Sequence, residues 1–254
     1  MAMTCGFHLS KASPFNSCIK MMLFPPFDEN TARYERKFVQ GELYHWDIQQ
    51  IVRNHPAAFH TIHYPRYINN IYLDTTEMDF YFDNVSGKGS RKKARIRWYG
   101  DLKGEVHTPV LEFKTREGML GNKLSFILHP FTFGDAFSGE SLQEIFRKST
   151  LPDWVREVLA LLKPALLNRY LREYYLSFDH HFRLTIDHEL SYYAIGNQND
   201  HFLEKFTSAN IIVELKYNAD VDKKAAAVTN ALPFRLSKSS KYVNGFELFH
   251  PHAG

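Results

Sequence analysis

Charged residues spaced two apart recur on four strand-like segments of this sequence: Arg33, Glu35 and Lys37; Arg95 and Arg97; Glu112, Lys114 and Arg116; Glu214 and Lys216. Side chains alternate between the faces of a strand, so each set lies on one face, with apolar neighbours such as Leu111 and Phe113 on the other. One such row is explained by a solvated strand face, and alternating charge on an edge strand also guards against aggregation. Four rows in one chain predict a closed sheet with a charged interior, mostly cationic with a few carboxylates. Arg grips two phosphate oxygens with a planar fork, Lys supplies a point charge, and Mg²⁺ or Mn²⁺ joins phosphate oxygens to one or two carboxylates. The pattern points to polyphosphate chemistry, in which positioning and charge neutralisation matter more than covalent participation by the protein. Glu214 follows the apolar run Ile211–Val213, where an unpaired carboxylate is costly, and is the leading metal-ligand candidate.

The elements that must hold these rows are readable in outline. A strand is predicted over 33–40, then an amphipathic helix over 42–54 with Leu43, Trp46, Ile51 and Val52 on its apolar stripe and Pro56 just beyond. Further strands are expected at 67–74, 94–99, 110–116 and 123–128, with a short helical turn at 75–82, a turn at 88–90 and a loop at 100–108. Helical spacing dominates 140–148 and 152–162, closed by Pro164. Strands resume at 166–178, 182–187 and 210–217, a last helix fits 220–231, and 238–242 reads as a loop or edge strand. No repeat or linker interrupts the pattern, so the expectation is one α+β domain over 31–250 preceded by a poorly ordered tail at 1–30.

Composition excludes several classes. With 31 Lys and Arg against 28 acidic residues, the net charge of +3 is too mild for bulk nucleic-acid binding. A single-stranded RNA face using Trp98 and Tyr99 as stacking platforms beside Arg95 and Arg97 is the alternative for that segment. Cys5 and Cys18 lack metal-ligand spacing and read as reduced, idle thiols. No run reaches the roughly 18 apolar residues of a membrane span, and Met21–Phe24 is too short for a signal-peptide core, so a cytoplasmic protein is expected. The histidines, 13 in all, show no zinc spacing with a third ligand, and His180-His181 reads as a turn. Asp187 is expected at the end of a strand or paired with Arg183. Phosphate loops, dinucleotide fingerprints and nucleophile elbows are absent from the sequence.

The ordered segments Arg33–Val39, Asn70–Asp74, Ala94–Gly100, Leu111–Thr115, Tyr170–Arg172, Phe182–Asp187, Val213–Lys216 and Ser240–Gly245 together resemble the VTC-type polyphosphate polymerase domain of the triphosphate tunnel metalloenzyme superfamily. The resemblance implies an α+β fold in which an antiparallel β-barrel forms a tunnel with a charged interior and helices pack outside. It implies that Lys37, Arg95, Arg97, Lys114, Arg172, Arg183 and Lys241 contact phosphate at the reacting centre, with Lys123, Tyr170 and Ser240 binding substrate beside them. Arg33, Arg116 and Lys216 of the charged rows join the substrate-binding set. Glu214 would hold Mn²⁺ or Mg²⁺, with Glu35 and Glu112 as weaker carboxylate candidates. The implied reaction moves the γ-phosphoryl group of ATP onto a polyphosphate end. A triphosphatase or nucleoside triphosphatase in the same tunnel, or a non-catalytic polyphosphate sensor, are the alternatives. Eukaryotic members carry histidine two places after the lysine matching Lys114, where this chain has Arg116. Those members also carry a phosphate-sensing helical domain and membrane helices, whereas this sequence is more similar to stand-alone bacterial relatives. ATP or triphosphate and polyphosphate are the expected partners, with no nucleic acid, no transmembrane segment and room for association with a separate membrane protein.

Overall fold

The computed structural model describes residues 33–118, 120–195 and 202–250, and most of its strands close on themselves. In chain order the strands are β1 (Arg33–Gln40), β2 (His60–Asp74), β3 (Ser90–Tyr99), β4 (Gly104–Val106), β5 (Val110–Glu117) and β6 (Leu120–Ile127). They continue with β7 (Phe131–Phe133), β8 (Lys163–Leu176), β9 (Arg183–Ile195), β10 (Phe202–Ser208) and β11 (Ile211–Asn218). The helices are α1 (His45–Arg53), α2 (Asp79–Val85), α3 (Gly139–Lys148), α4 (Asp153–Ala160), α5 (Asp222–Asn230) and α6 (Lys241–Phe249). The ladder β9-β11-β1-β6-β5-β3-β2-β8 returns from β8 to β9, so eight antiparallel strands form a closed barrel. β10 pairs with the outer half of β9, and β4 with β7 in a separate ribbon. Closure leaves the eight strands without a free edge and gives an interior wide enough for side chains and one small ligand.

Register decides which residues face that interior, because directly opposed residues share a face. Glu35 lies opposite Lys216, Lys37 opposite Glu214, Arg95 opposite Glu112, Lys114 opposite Lys123, and Arg172 opposite Asp187. The intervening residues point outward into two cores. Ile71, Leu73, Ala94, Ile96 and Leu111 pack under α3 and α4, and Phe38, Leu184, Ile186, Val213 and Leu215 pack under α1 and α5. A third apolar cluster lies at one end of the barrel. There the inward-facing Ile68, Tyr72, Leu166, Tyr192 and Ile212 meet Tyr81 of α2 and Tyr242 and Phe246 of α6. Gly245 permits this seat, since a Cβ would stand 2.4 Å from Tyr192 and 2.5 Å from Leu166.

Several predicted elements are redrawn. The first helix begins at His45 and buries Ile48 and Val52, while Leu43 and Trp46 from the expected stripe are exposed. Pro164 sits inside the start of β8, a position strands tolerate, rather than closing a helix. Residues 238–242 are neither loop nor edge strand throughout: Ser240 caps α6, its hydroxyl accepting from the Val243 amide at 3.3 Å. β2 starts at His60 because pairing with β8 extends it through a polar, irregular stretch with no apolar alternation. β9 runs on to Ile195, and β4, β7 and β10 join the predicted set. The expected tail at 1–30, with Cys5 and Cys18, lies outside the described residues. Among the described residues no helix is long and apolar enough to cross a membrane.

Candidate functional site in the barrel

The barrel encloses a cavity of about 800 Å³, within the size range of ligand sites. Arg33, Glu35, Lys37, Arg95, Arg97, Glu112, Lys114, Lys123, Tyr170, Arg172, Arg183, Glu214, Lys216, Ser240 and Lys241 all line it. They come from seven of the barrel strands and from α6 with its cap. Arg116 is the one expected residue that does not line the cavity; its Nε donates to the Gly118 carbonyl at 2.9 Å, past the end of the charged row. Asp187 sits within β9 and faces Arg172, not Arg183; Arg183 instead opposes Leu176 and Lys216.

Among the described residues the lining holds twelve lysines and arginines against three glutamates. Those glutamates are used differently. Glu112 accepts from Arg95 Nε at 2.7 Å on one oxygen and from Lys123 Nζ at 2.8 Å on the other. Burial would raise its carboxyl, but Arg95 and Arg97 outweigh that and hold it far below the ordinary range. Glu35 accepts from Lys114 Nζ. Burial and the neighbouring Glu214 push Glu35 up, and Lys114, Lys216 and Lys37 bring it down overall. Glu214 is buried, and the cations facing it, Lys216 and Arg172, stand at 3.5 and 3.6 Å, beyond ordinary hydrogen-bond length. Burial opposes its charge too, yet Lys216, Lys37, Arg172 and Lys114 keep it ionised well below the usual range. Among the described residues Glu214 is an ionised carboxylate without a short partner, beside a second one, which fits a hard divalent cation. Glu214 and Glu35 therefore suit a metal, and Glu112 is committed to Arg95 and Lys123.

The cations are held firmly. Arg97 donates through Nε to Asn70 Oδ1 at 2.9 Å and through Nη2 to the Tyr170 hydroxyl at 3.3 Å. Arg172 and Lys241 share Asp187: Arg172 Nη2 donates at 2.6 Å, and Lys241 Nζ also lies 4.6 Å from the Tyr170 ring centre. Lys37 donates to the Ser239 carbonyl at 3.0 Å. Burial drags the Lys114 ammonium down to about 8, with Glu35 working against it. Burial raises the Tyr170 phenol, but Arg172 and Arg97 more than reverse this and bring it to about 8.

Sequence reasoning missed Lys93, which lines the cavity and donates to Ser240 Oγ at 2.7 Å. Burial and then Lys37 and Lys114 push its ammonium well below the ordinary value. The spacing Lys93-x-Arg95-x-Arg97 carries the signal, since all three share one face of β3. Trp98 is buried against Phe131 and Phe133 and offers no stacking platform, whereas Tyr99 is exposed with the Arg66 guanidinium 4.8 Å from its ring centre. His180 stands in a turn with φ of 60°, as read from the sequence.

The family model for the VTC domain matches residues 32–250. This chain belongs to the VTC domain family. No curated protein matches the sequence of this VTC domain. Solved structures similar to the VTC domain include a provisionally assigned adenylate cyclase from Vibrio parahaemolyticus, 9% identical, covering 82% of this chain and 94% of its own, with a TM-score of 0.45. A Pyrococcus horikoshii protein is 14% identical over 86% of this chain and 99% of its own, with a TM-score of 0.45. A provisionally assigned adenylyl cyclase from Hippeastrum with a dominant triphosphatase activity is 15% identical over 86% of this chain and 95% of its own, with a TM-score of 0.46.

Proposed function

We propose that this VTC domain is a cytoplasmic, metal-dependent phosphotransferase that moves the γ-phosphoryl group of ATP onto the end of a polyphosphate chain and releases ADP. The observation that carries this reading is the size of the charge surplus. Twelve cations against three glutamates remain a surplus of seven even when Asp187 is counted and Lys93 is taken as neutral. A triphosphate brings about four negative charges, so there is countercharge for a donor and an anionic acceptor together.

In this reaction the bond from the γ-phosphorus to the β,γ-bridging oxygen breaks as a bond from the acceptor's terminal oxygen forms. That oxygen is already ionised, so no general base is required, and the protein's task is to hold two anions in line. Arg95, Arg97 and Arg172 offer forks for orienting phosphates. Lys37, Lys114 and Lys241 supply point charge where negative charge shifts toward ADP. Arg33, Lys123, Arg183 and Lys216 guide the remaining chain, with Tyr170 and Ser240 as hydrogen-bonding neighbours and Arg116 at the rim. Glu214, with Glu35, would hold Mg²⁺ or Mn²⁺, which would supply positive charge against the phosphates.

Hydrolysis is the second reading, and one observation favours it. α6 fills one end of the barrel, which suits short substrates with water as the acceptor. The test is incubation with ATP and Mn²⁺ or Mg²⁺, followed by a polyphosphate gel beside a free-phosphate assay. A ladder of chains with equivalent ADP supports the polymerase. Free phosphate without chains replaces it with the hydrolase, and tight tripolyphosphate binding without turnover overturns both.

A further inference from the structure

Outside the cavity, three side chains converge from distant parts of the sequence. His45 begins α1, Glu173 lies on β8 and His188 on β9, and one ligand atom from each falls within 4.8 Å of the others. His45 Nε2 meets Glu173 Oε1 closely, and His188 Nε2 lies 3.5 Å from the same oxygen. The two imidazole rings stack with centres 3.8 Å apart. His188 is about nine-tenths buried, and its Nε2 is shut off from solvent with no partner at ordinary hydrogen-bond length among the described residues, the Glu173 carboxylate at 3.5 Å being in longer contact.

That nitrogen asks for an explanation, because a desolvated polar atom without a close partner is costly. Glu173 is braced from behind: Tyr175 donates to Oε2 at 2.5 Å, and Gln49 Nε2 lies 2.9 Å from both oxygens. Bracing of this kind fixes a ligating carboxylate in metal sites and leaves one oxygen aimed at the ion.

We propose that His45, Glu173 and His188 form a second metal site, for a zinc-class transition ion, on the outer face of the barrel wall. Two imidazoles and one carboxylate are a common zinc ligand set with a position left for water. Nitrogen donors select zinc, cobalt or nickel over Mg²⁺, which separates this site from the all-oxygen pair Glu35 and Glu214 in the cavity. The location gives the ion a purpose. Glu173 and His188 each follow, in the chain, a member of the buried pair Arg172 and Asp187, which faces the cavity. Strand alternation sends Arg172 and Asp187 inward and Glu173 and His188 outward, with Leu171 opposite His188 and Ile186 opposite Glu173. A bound ion would staple α1 to the wall and stiffen the Arg172–Asp187 pair.

The test uses the full chain, stripped of metal and then titrated with Co²⁺ and Zn²⁺ in millimolar Mg²⁺. Expected are one Co²⁺ per chain with a visible d–d absorption, its displacement by Zn²⁺, and a Tm raised by several degrees. His188→Ala and His45→Ala should each weaken Zn²⁺ binding by at least about 100-fold, while Glu214→Gln leaves it unchanged. His45 is partly exposed at a helix start, so its variant keeps the experiment decisive if His188→Ala fails to fold. Absence of stoichiometric Co²⁺ binding to the wild type would overturn the site. So would binding that survives both histidine substitutions, or binding that disappears with Glu214→Gln.

Discussion

Glu214→Gln should divide two roles that one carboxylate plays in the cavity. The change is nearly isosteric and removes one negative charge from among Lys216, Lys37, Arg172 and Lys114. A phosphate gripped by Arg172, itself 3.6 Å from Glu214, would sit roughly 6 Å from that carboxylate. At an effective dielectric of about 20, one unit of charge at that distance is worth ~2–3 kcal/mol, and solvent and salt reduce this to ~1–2 kcal/mol. Metal-free tripolyphosphate binding should therefore strengthen about ten-fold in the variant, while metal-dependent turnover falls at least ~100-fold. The assay is calorimetric titration in chelator at fixed salt, paired with ADP release in Mn²⁺. Unchanged metal-free affinity would place Glu214 outside the field of the bound anion, and full turnover would remove it from metal binding. Stability supplies a control with a defined sign. The folded-state pKa of Glu214 lies below its ordinary value of 4.5, so its contribution is present above about that pH and is lost as pH falls through the folded value. The variant should be less stable than wild type at neutral pH, with the gap closing in acid.

Four further outcomes follow from the barrel and the helix seated at its end. Lys114 loses its proton and Tyr170 loses its own near pH 8, both changes making the cavity less positive. Metal-free tripolyphosphate affinity should thus fall several-fold between pH 7 and 9 relative to the double variant Lys114→Arg, Tyr170→Phe, which shares the ligand's own ionisation; parallel profiles would reject this. Because the Lys114 pKa is lower folded than unfolded, its contribution to stability rises with pH between about 8 and 10.5, and Lys114→Arg should flatten that rise in thermal melts. Arg97→Ala removes a buried fork and should weaken triphosphate binding by ~1.5–3 kcal/mol, roughly ten- to hundred-fold in Kd; an unchanged Kd would detach Arg97 from the ligand. Gly245→Ala places a methyl 2.4 Å from Tyr192 and 2.5 Å from Leu166, so it should cost ~1–3 kcal/mol and lower Tm by several degrees. An unshifted Tm would mean α6 is not seated where the barrel ends.

The cavity was legible wherever strand alternation alone fixes orientation. Arg33, Glu35 and Lys37, or Glu112 and Lys114, must share a face once their segments are strands, and closure turns that face inward. Arg116 escaped the rule because a row leaves the cavity at the strand end, where its side chain turns to the Gly118 carbonyl. α6 was hidden for a local reason: its sequence carries Asn244-Gly245, a pair that signals a turn and disfavours helix, and tertiary packing at Gly245 overrides it. β10 pairs with one half of β9, and its Lys205, Phe206 and Thr207 are exposed, so the period-2 signal of a buried face is absent there. The cluster of His45, Glu173 and His188 has no sequence signal, since its members are 128 and 15 residues apart and meet only through the packing of α1 on the wall.

The inward rows also change character in one direction, and this bears on the reaction. Along β1 they run Arg33, Glu35, Lys37 and then Val39; along β11, read backwards, Lys216, Glu214 and then Ile212; along β9, Arg183, Thr185, Asp187 and then Leu190 and Tyr192. Charge gives way to apolar side chains toward the same end, where α6 is seated and Lys241 is the cation it contributes to the cavity. On the proposed function, a linear polyanion would enter from the end marked by Arg33, Arg183 and Lys216 and stop with its leading phosphate near Lys241, Arg172 and Arg97. Water meeting that phosphate in a closed end gives hydrolysis. Chain growth needs a second anion beside the first, which the cation surplus permits, and an exit by the same mouth or past α6. On the proposed function, the seat of α6 at Gly245 would set whether a growing chain can leave past that end, and loosening it should move the ratio of polymer to free phosphate.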